Sequence, residues 1–170
     1  MSREVVYRGR RIQVEVDARV DSRGVEVRRD VVVHPGAAVI LPLLEGDRVC
    51  LIRNQRITVG EELLEVPAGT LEPPEPPETC ARRELAEETG YRAARWRKLA
   101  EYFPSPGVLS ERMHLYLAEG LTLGETDLQP GEELHRVEVP FAQALGWAMD
   151  GTIKDGKTLV ALLLWSRLRG

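Results

Sequence analysis

Cysteine is scarce in this 170-residue chain, which carries only Cys50 and Cys80. No Cys-x-x-Cys pair and no histidine–cysteine cluster accompanies them, so a zinc site is not expected and two reduced thiols are. Positive charge is short as well. Lys and Arg number 23 against 27 Asp and Glu, a formal net charge of −4, which argues against a general pull toward nucleic acid. Arg8, Arg10 and Arg11 form a local basic group but have no basic stripe to join. No apolar run approaches the ~20 residues a membrane helix requires. The first residues lack the apolar stretch of a secretory signal. A cytoplasmic protein with neither nucleic acid nor membrane as partner is the expectation.

What is present fits a folded globular protein. Hydrophobic residues make up 43% and charged residues 29%, and the length suits one compact domain with a small appendage. Residues 4–33 are rich in β-branched side chains, with Val5, Tyr7, Ile12, Val14, Val16, Val25, Val27 and Val31 often alternating with polar ones. They predict a small antiparallel meander, turned at Asp21 to Gly24. Residues 37–44 are nearly all apolar and residues 49–52 return, as in a sheet covered on both faces. Further strands are expected at 63–66, 99–103, 113–118 and 134–139. Residues 69–77 hold four prolines and predict a stiff loop, followed by a helix over 78–89 that Gly90 ends. Helical spacing recurs over 141–149 and 157–168. Strands mixed with a few helices indicate an α/β layered fold. Trp96, Trp147 and Trp165 are scattered and read as core or interface residues, and His34 and His114 as structural ones.

The chemistry concentrates around the predicted helix at 78–89. Glu84 and Glu88 stand four apart on one face, and Glu87 borders it. Like charges at that spacing repel by a few tenths of a kcal/mol per pair, so they need a cation. Arg82 and Arg83 are near, and hard oxygen donors at this density also suit Mg²⁺, which completes its shell with water and phosphate oxygens. Taken alone, residues 82–88 read as an ordinary solvated helix face. The wider spacing changes that reading. Gly69, Glu75, Arg83, Glu84, Leu85, Glu87, Glu88, Gly90 and Tyr91 fill all nine fixed positions of Gly-x5-Glu-x7-Arg-Glu-U-x-Glu-Glu-x-Gly-U, where U is apolar or aromatic. At ordinary residue usage a chance match is roughly one in a billion per window.

This pattern resembles the signature box of the Nudix hydrolases. The resemblance implies an α/β/α sandwich with a mixed sheet, here preceded by the N-terminal meander, with a division at 1–35 and 36–170. It implies Mg²⁺, with Mn²⁺ as a substitute, held by Glu84, Glu88 and a supporting Glu87, often with the carbonyl of Ala68. It casts Arg83 and Glu75 as a brace between helix and loop. Outside the box, residues 64–69 resemble the Leu-Glu-apolar-Pro-Ala-Gly approach of the ADP-ribose pyrophosphatase subfamily. Ser105 and Gly107 flank Pro106 where that subfamily carries a Ser-Pro-Gly motif, and Glu111 follows at a position often acidic there. Arg56 closes a segment similar to its Arg-Gln-aromatic-Arg run, with Gln55 in place of the aromatic, and is expected on the diphosphate. Arg10, in the meander, is expected near the substrate, because in the subfamily that meander is commonly exchanged between two subunits. A homodimer is therefore expected. The general base in the subfamily is a glutamate well after the box; Glu132 and Glu133 stand at that place, with Glu132 favoured, and His135 departs from a commonly acidic position.

The leading expectation is hydrolysis of ADP-ribose to AMP and ribose 5-phosphate. An alternative is cleavage of GDP-mannose or another nucleotide sugar, since residues 139–145 and 155–159 resemble relatives of that kind. An alternative of another class is a non-catalytic Nudix module that senses a nucleotide. Such modules usually have a degraded box and an added DNA-binding domain, neither of which is seen here.

Overall fold

Alternation along three strands sets the architecture of the molecule, a computed structural model that describes residues 2–9, 12–127 and 134–170. In β4 (Ala37–Leu44), Val39 and Leu41 enter one apolar core while Ala38 and Ile40 enter another. β5 (Arg48–Arg56) divides Val49 and Leu51 from Cys50 in the same way, and β9 (Met113–Leu123) divides Leu115 and Leu117 from Tyr116 and Ala118. Strands buried on both faces read as continuous apolar runs, which is how residues 37–44 appear in the sequence.

The remaining elements are β1 (Ser2–Arg8), β2 (Gln13–Val20), β3 (Glu26–Val33), β6 (Glu61–Glu65), β7 (Ala68–Thr70), α1 (Pro77–Thr89), β8 (Tyr91–Tyr102), β10 (Leu134–Pro140), α2 (Phe141–Asp150) and α3 (Gly156–Leu168). The main sheet runs β10-β5-β4-β9-β8, with β6 added to β5 and β7 to β4. It is mixed: β4 and β9 are parallel, and its other pairs are antiparallel. Cys80, Ala81 and Leu85 of α1 fill the core on one face. Phe141 and Ala144 of α2, with Ala161 and Leu162 of α3, fill the other. The result is the α/β/α sandwich expected, and β1, β2 and β3 form a separate antiparallel sheet, the expected meander.

Four boundaries stand out as different from the sequence expectation. Residues 68–70 pair with β4 as a short strand, where a loop was expected from 69 onward. β8 begins at Tyr91 rather than 99, and β9 continues past 118 to Leu123. The helix starts one residue earlier, at Pro77, whose missing N–H would be unsatisfied in a first turn anyway.

Topology brings distant segments to one end of the sheet. At the start of β4, Ala37 pairs with Thr70 on one side and Met113 on the other. The box loop and residues 103–112 therefore leave the sheet side by side. β5 runs opposite to β4, so Arg56 ends at the same edge.

Candidate active site

α1 is tied down at its C-terminal end. Gly90 adopts the left-handed conformation at φ 74°, and its N–H donates to Ala86 O at 2.8 Å. Arg136 of β10 donates through Nη1 to the Thr89 carbonyl at 2.8 Å, satisfying one of the last acceptors of the helix. Within α1, Arg83 meets three carboxylates. Its Nε and Nη2 reach Glu75 Oε1 and Oε2, each at 3.1 Å, in a bidentate pair. Its Nη1 donates to Glu84 Oε1 at 2.7 Å and Glu87 Oε2 at 3.1 Å. The Glu75–Arg83 brace is thus present as an ion pair. Hydrogen bonding from Arg83, opposed by partial burial, holds the Glu75 carboxyl below its ordinary range. The same pairing raises Arg83, which stays charged throughout the working range of pH.

Glu84 and Glu88 are both buried. Glu88 Oε2 accepts from the Ala68 N–H at 3.0 Å, joining the helix to β7. Glu84 lies over Gly69 so closely that a Cβ there would sit 1.8 Å from its carboxyl carbon. The box glycine is the cradle of that carboxylate. Among the described residues no three or more histidine, cysteine, aspartate or glutamate side chains converge as a ready-made cage. Magnesium does not need one, because it is held by one or two carboxylates with water and substrate oxygens filling the rest. Two buried glutamates beside a side-chain-free backbone are donors of the right hardness, and the residues fit the ion.

A second charged group lies beside this one. Glu65 is fully buried. Arg56 binds it through Nε at 2.7 Å and Nη2 at 2.6 Å, and Lys157 Nζ reaches Oε2 at 2.5 Å. Burial pushes the Glu65 carboxyl up, but the two cations outweigh it and hold it below the ordinary range. Lys157 also donates to Asp155 Oδ1 at 2.8 Å. Asp155 caps α3, accepting from Thr158 N at 2.9 Å, and Thr158 Oγ1 in turn accepts from Val66 N at 2.8 Å. The sequence alone named Arg56 and Glu65 as site residues but gave Asp155, Lys157 and Thr158 only a family likeness, with no role at the site. Glu65, expected to touch substrate, is enclosed behind Arg56.

The other expected residues fall in two groups. Ser105 and Gly107 are exposed on the loop between β8 and β9, and Gly107 borders a cavity of about 630 Å³ shared with Arg19, Arg29 and Asp30 of the N-terminal sheet. Val108 O accepts from Val32 N at 2.8 Å, and Glu111 Oε1 lies 3.2 Å from His34 Nδ1, so this loop is docked to the meander. Arg10, Glu132 and Glu133 lie outside the described residues. The flanks of the last two are described: Asp127 N donates to Glu87 O at 3.2 Å, and Leu134 pairs with Asn54.

An α/β/α sandwich with an arginine-braced acidic helix over a glycine cradle defines a class of enzyme suited to hydrolysing phosphoanhydrides with hard cations. The chain belongs to the Nudix family, whose NUDIX domain model matches residues 33–162. It is 32% identical over 161 residues to a "Methanol dehydrogenase activator" of Bacillus methanolicus, covering 94% of this chain and 87% of that one. It is likewise 32% identical over 164 residues to an ADP-ribose pyrophosphatase of Bacillus subtilis, covering 95% and 89%. A GDP-mannose pyrophosphatase of Klebsiella pneumoniae is 37% identical over 154 residues, covering 85% and 77%. Among solved structures, the crystal structure of an ADP compounds hydrolase matches with a TM-score of 0.87 and 26% identity, over 100% of this chain and 94% of that one.

Proposed function

We propose that the protein hydrolyses the diphosphate bridge of ADP-ribose, with water adding to one phosphorus as the P–O–P bond breaks, to give AMP and ribose 5-phosphate. The observation that carries this reading is the Glu84–Gly69 cradle beside Glu88, braced by Arg83 and Glu75. Glu84 and Glu88 would hold Mg²⁺ (or Mn²⁺), with Glu87 and the Ala68 carbonyl in support. The bound ion would polarise a phosphoryl oxygen and acidify the attacking water. Arg56 would neutralise the diphosphate, and Glu132 or Glu133 would take the water's proton. The protein should act in the cytoplasm on a free small molecule, without nucleic acid. Residues 1–35 should form a unit shared between two copies in a homodimer.

The test is AMP release from ADP-ribose by purified protein with Mg²⁺. Glu88→Gln should lose most of the rate, about 100-fold or more, and a chelator should abolish it. Turnover indifferent to both would reject the mechanism. A second reading, GDP-mannose as substrate, is favoured by the higher identity to the Klebsiella enzyme. Side-by-side kcat/KM values for ADP-ribose, GDP-mannose and ADP-glucose decide between them.

A further inference from the structure

The first turn of α3 carries a cation where a helix favours anions. Lys157 follows the N-cap Asp155 by two residues, at the positive end of the helix macrodipole. Its side chain is also nearly enclosed, with 11% of its surface exposed. A buried ammonium is unfavourable unless it is paired. The pairing is with Glu65, 92 residues earlier in the chain, and with Asp155. Glu65 is the deeper of the two partners, its side chain 1% exposed. It also receives two hydrogen bonds from Arg56, whose own side chain keeps 40% of its surface exposed.

Charge bookkeeping gives this arrangement a consequence. Arg56 and Lys157 offset Glu65 and Asp155, so the group is neutral overall and Arg56 is not left to balance Glu65 alone. Without Lys157 the same cluster would carry a net negative charge beneath the one guanidinium that faces outward. We infer that Lys157 is a positioning residue for the diphosphate reaction: it holds Glu65 so that Arg56 keeps a fixed, electropositive face toward substrate phosphates. The inference rests on the function proposed above. Lys157 acts through Glu65 and Arg56 and touches no substrate. Thr158 serves the same end mechanically, because its bond to Val66 N ties the head of α3 to the strand that leads into Ala68 and Gly69.

Lys157→Met and Lys157→Arg would be compared with the wild type for kcat, KM and the Kd of an unreactive diphosphate, α,β-methylene-ADP. For Lys157→Met, KM and Kd should rise about tenfold with kcat within about twofold, as for loss of binding equal in ground and transition states. Lys157→Arg should restore most of the affinity. In an Arg56→Met background, the effect of Lys157→Met on Kd should vanish, because the two residues act in series. Lys154→Met, which removes only the exposed ion pair to Glu61, should leave KM unchanged. A folded Lys157→Met protein with wild-type KM and Kd and only a lower Tm would overturn the inference, as would an undiminished effect in the Arg56→Met background. Should Lys157→Met not fold, Glu65→Gln/Lys157→Met removes both buried charges; wild-type affinity in that variant would also overturn it. Failure of the wild type to turn over ADP-ribose, GDP-mannose or ADP-glucose would sink the proposed function, while the Kd series still decides the role of Lys157.

Discussion

At Gly69 a side chain of one hydrogen is required because the Glu84 carboxylate fills the space above it, 1.8 Å from where a Cβ would stand. Gly69→Ala must displace Glu84 or shift β7, and either moves a proposed metal ligand by more than the few tenths of an ångström a catalytic site tolerates. A kcat reduced by about 100-fold or more is expected from misplacement of that size, with a Tm change of only a few degrees. Steady-state kinetics with a Mg²⁺ titration would check this, and a wild-type kcat would show that the cradle is not part of the site. The two thiols lead to the opposite expectation. Burial pushes both Cys50 and Cys80 up to about 12, with Glu138 adding to the first and Glu84 and Glu75 to the second. Neither should react with a thiol reagent at neutral pH in the native protein, and both should do so after denaturation. A fast-reacting native thiol would contradict the burial.

α1 is an element whose sequence serves chemistry more than helix stability. Glu84 lies over Gly69 and Glu88 accepts from Ala68 N instead of pairing along the surface, while Arg83 binds Glu84 and Glu87 and offsets their repulsion. Because Arg83 lowers the Glu75 carboxyl in the folded state, the pair stabilises the fold above the ordinary carboxylate range. That contribution is lost as pH falls through the lowered folded value. Glu75→Gln should therefore lower Tm at neutral pH, and the gap to the wild type should be smaller at an acid pH below the ordinary carboxylate range. Thermal melts at the two pH values would check it, and a gap that widened in acid would reverse the assignment. The box was legible in the sequence because its chemistry dictates residue type at fixed spacing. β4 and β9 were legible because both their faces are buried. The first half of β8 was not: Arg92, Arg95, Arg97 and Lys98 break its alternation, and this strand lies at the edge of the sheet, where charge discourages pairing with other chains. β7 is three residues held by β4 alone, and the Glu65–Lys157 contact joins segments that no local pattern relates.

The whole molecule is unevenly buried. The sandwich encloses two cores, whereas the N-terminal sheet leaves Val6, Tyr7, Val20 and Val25 each more than half exposed. That sheet meets the sandwich through a parallel bridge of Val32 with Leu109, with Val32 N donating to Val108 O and Ser110 N to Val32 O. β1 is an open edge of a three-stranded sheet, the kind of edge that proteins blunt or cover. A second copy of the chain is the cover we propose, because the same sheet reaches the loop carrying Ser105 and Gly107. Light scattering at micromolar concentration should give twice the monomer mass. The double substitution Val6→Asp/Tyr7→Asp places like charges on the exposed face and should shift the protein toward monomer, with a raised KM, while the sandwich keeps its Tm within a few degrees. Wild-type protein that stays monomeric and fully active would separate the N-terminal sheet from catalysis and leave its exposed valines to another partner.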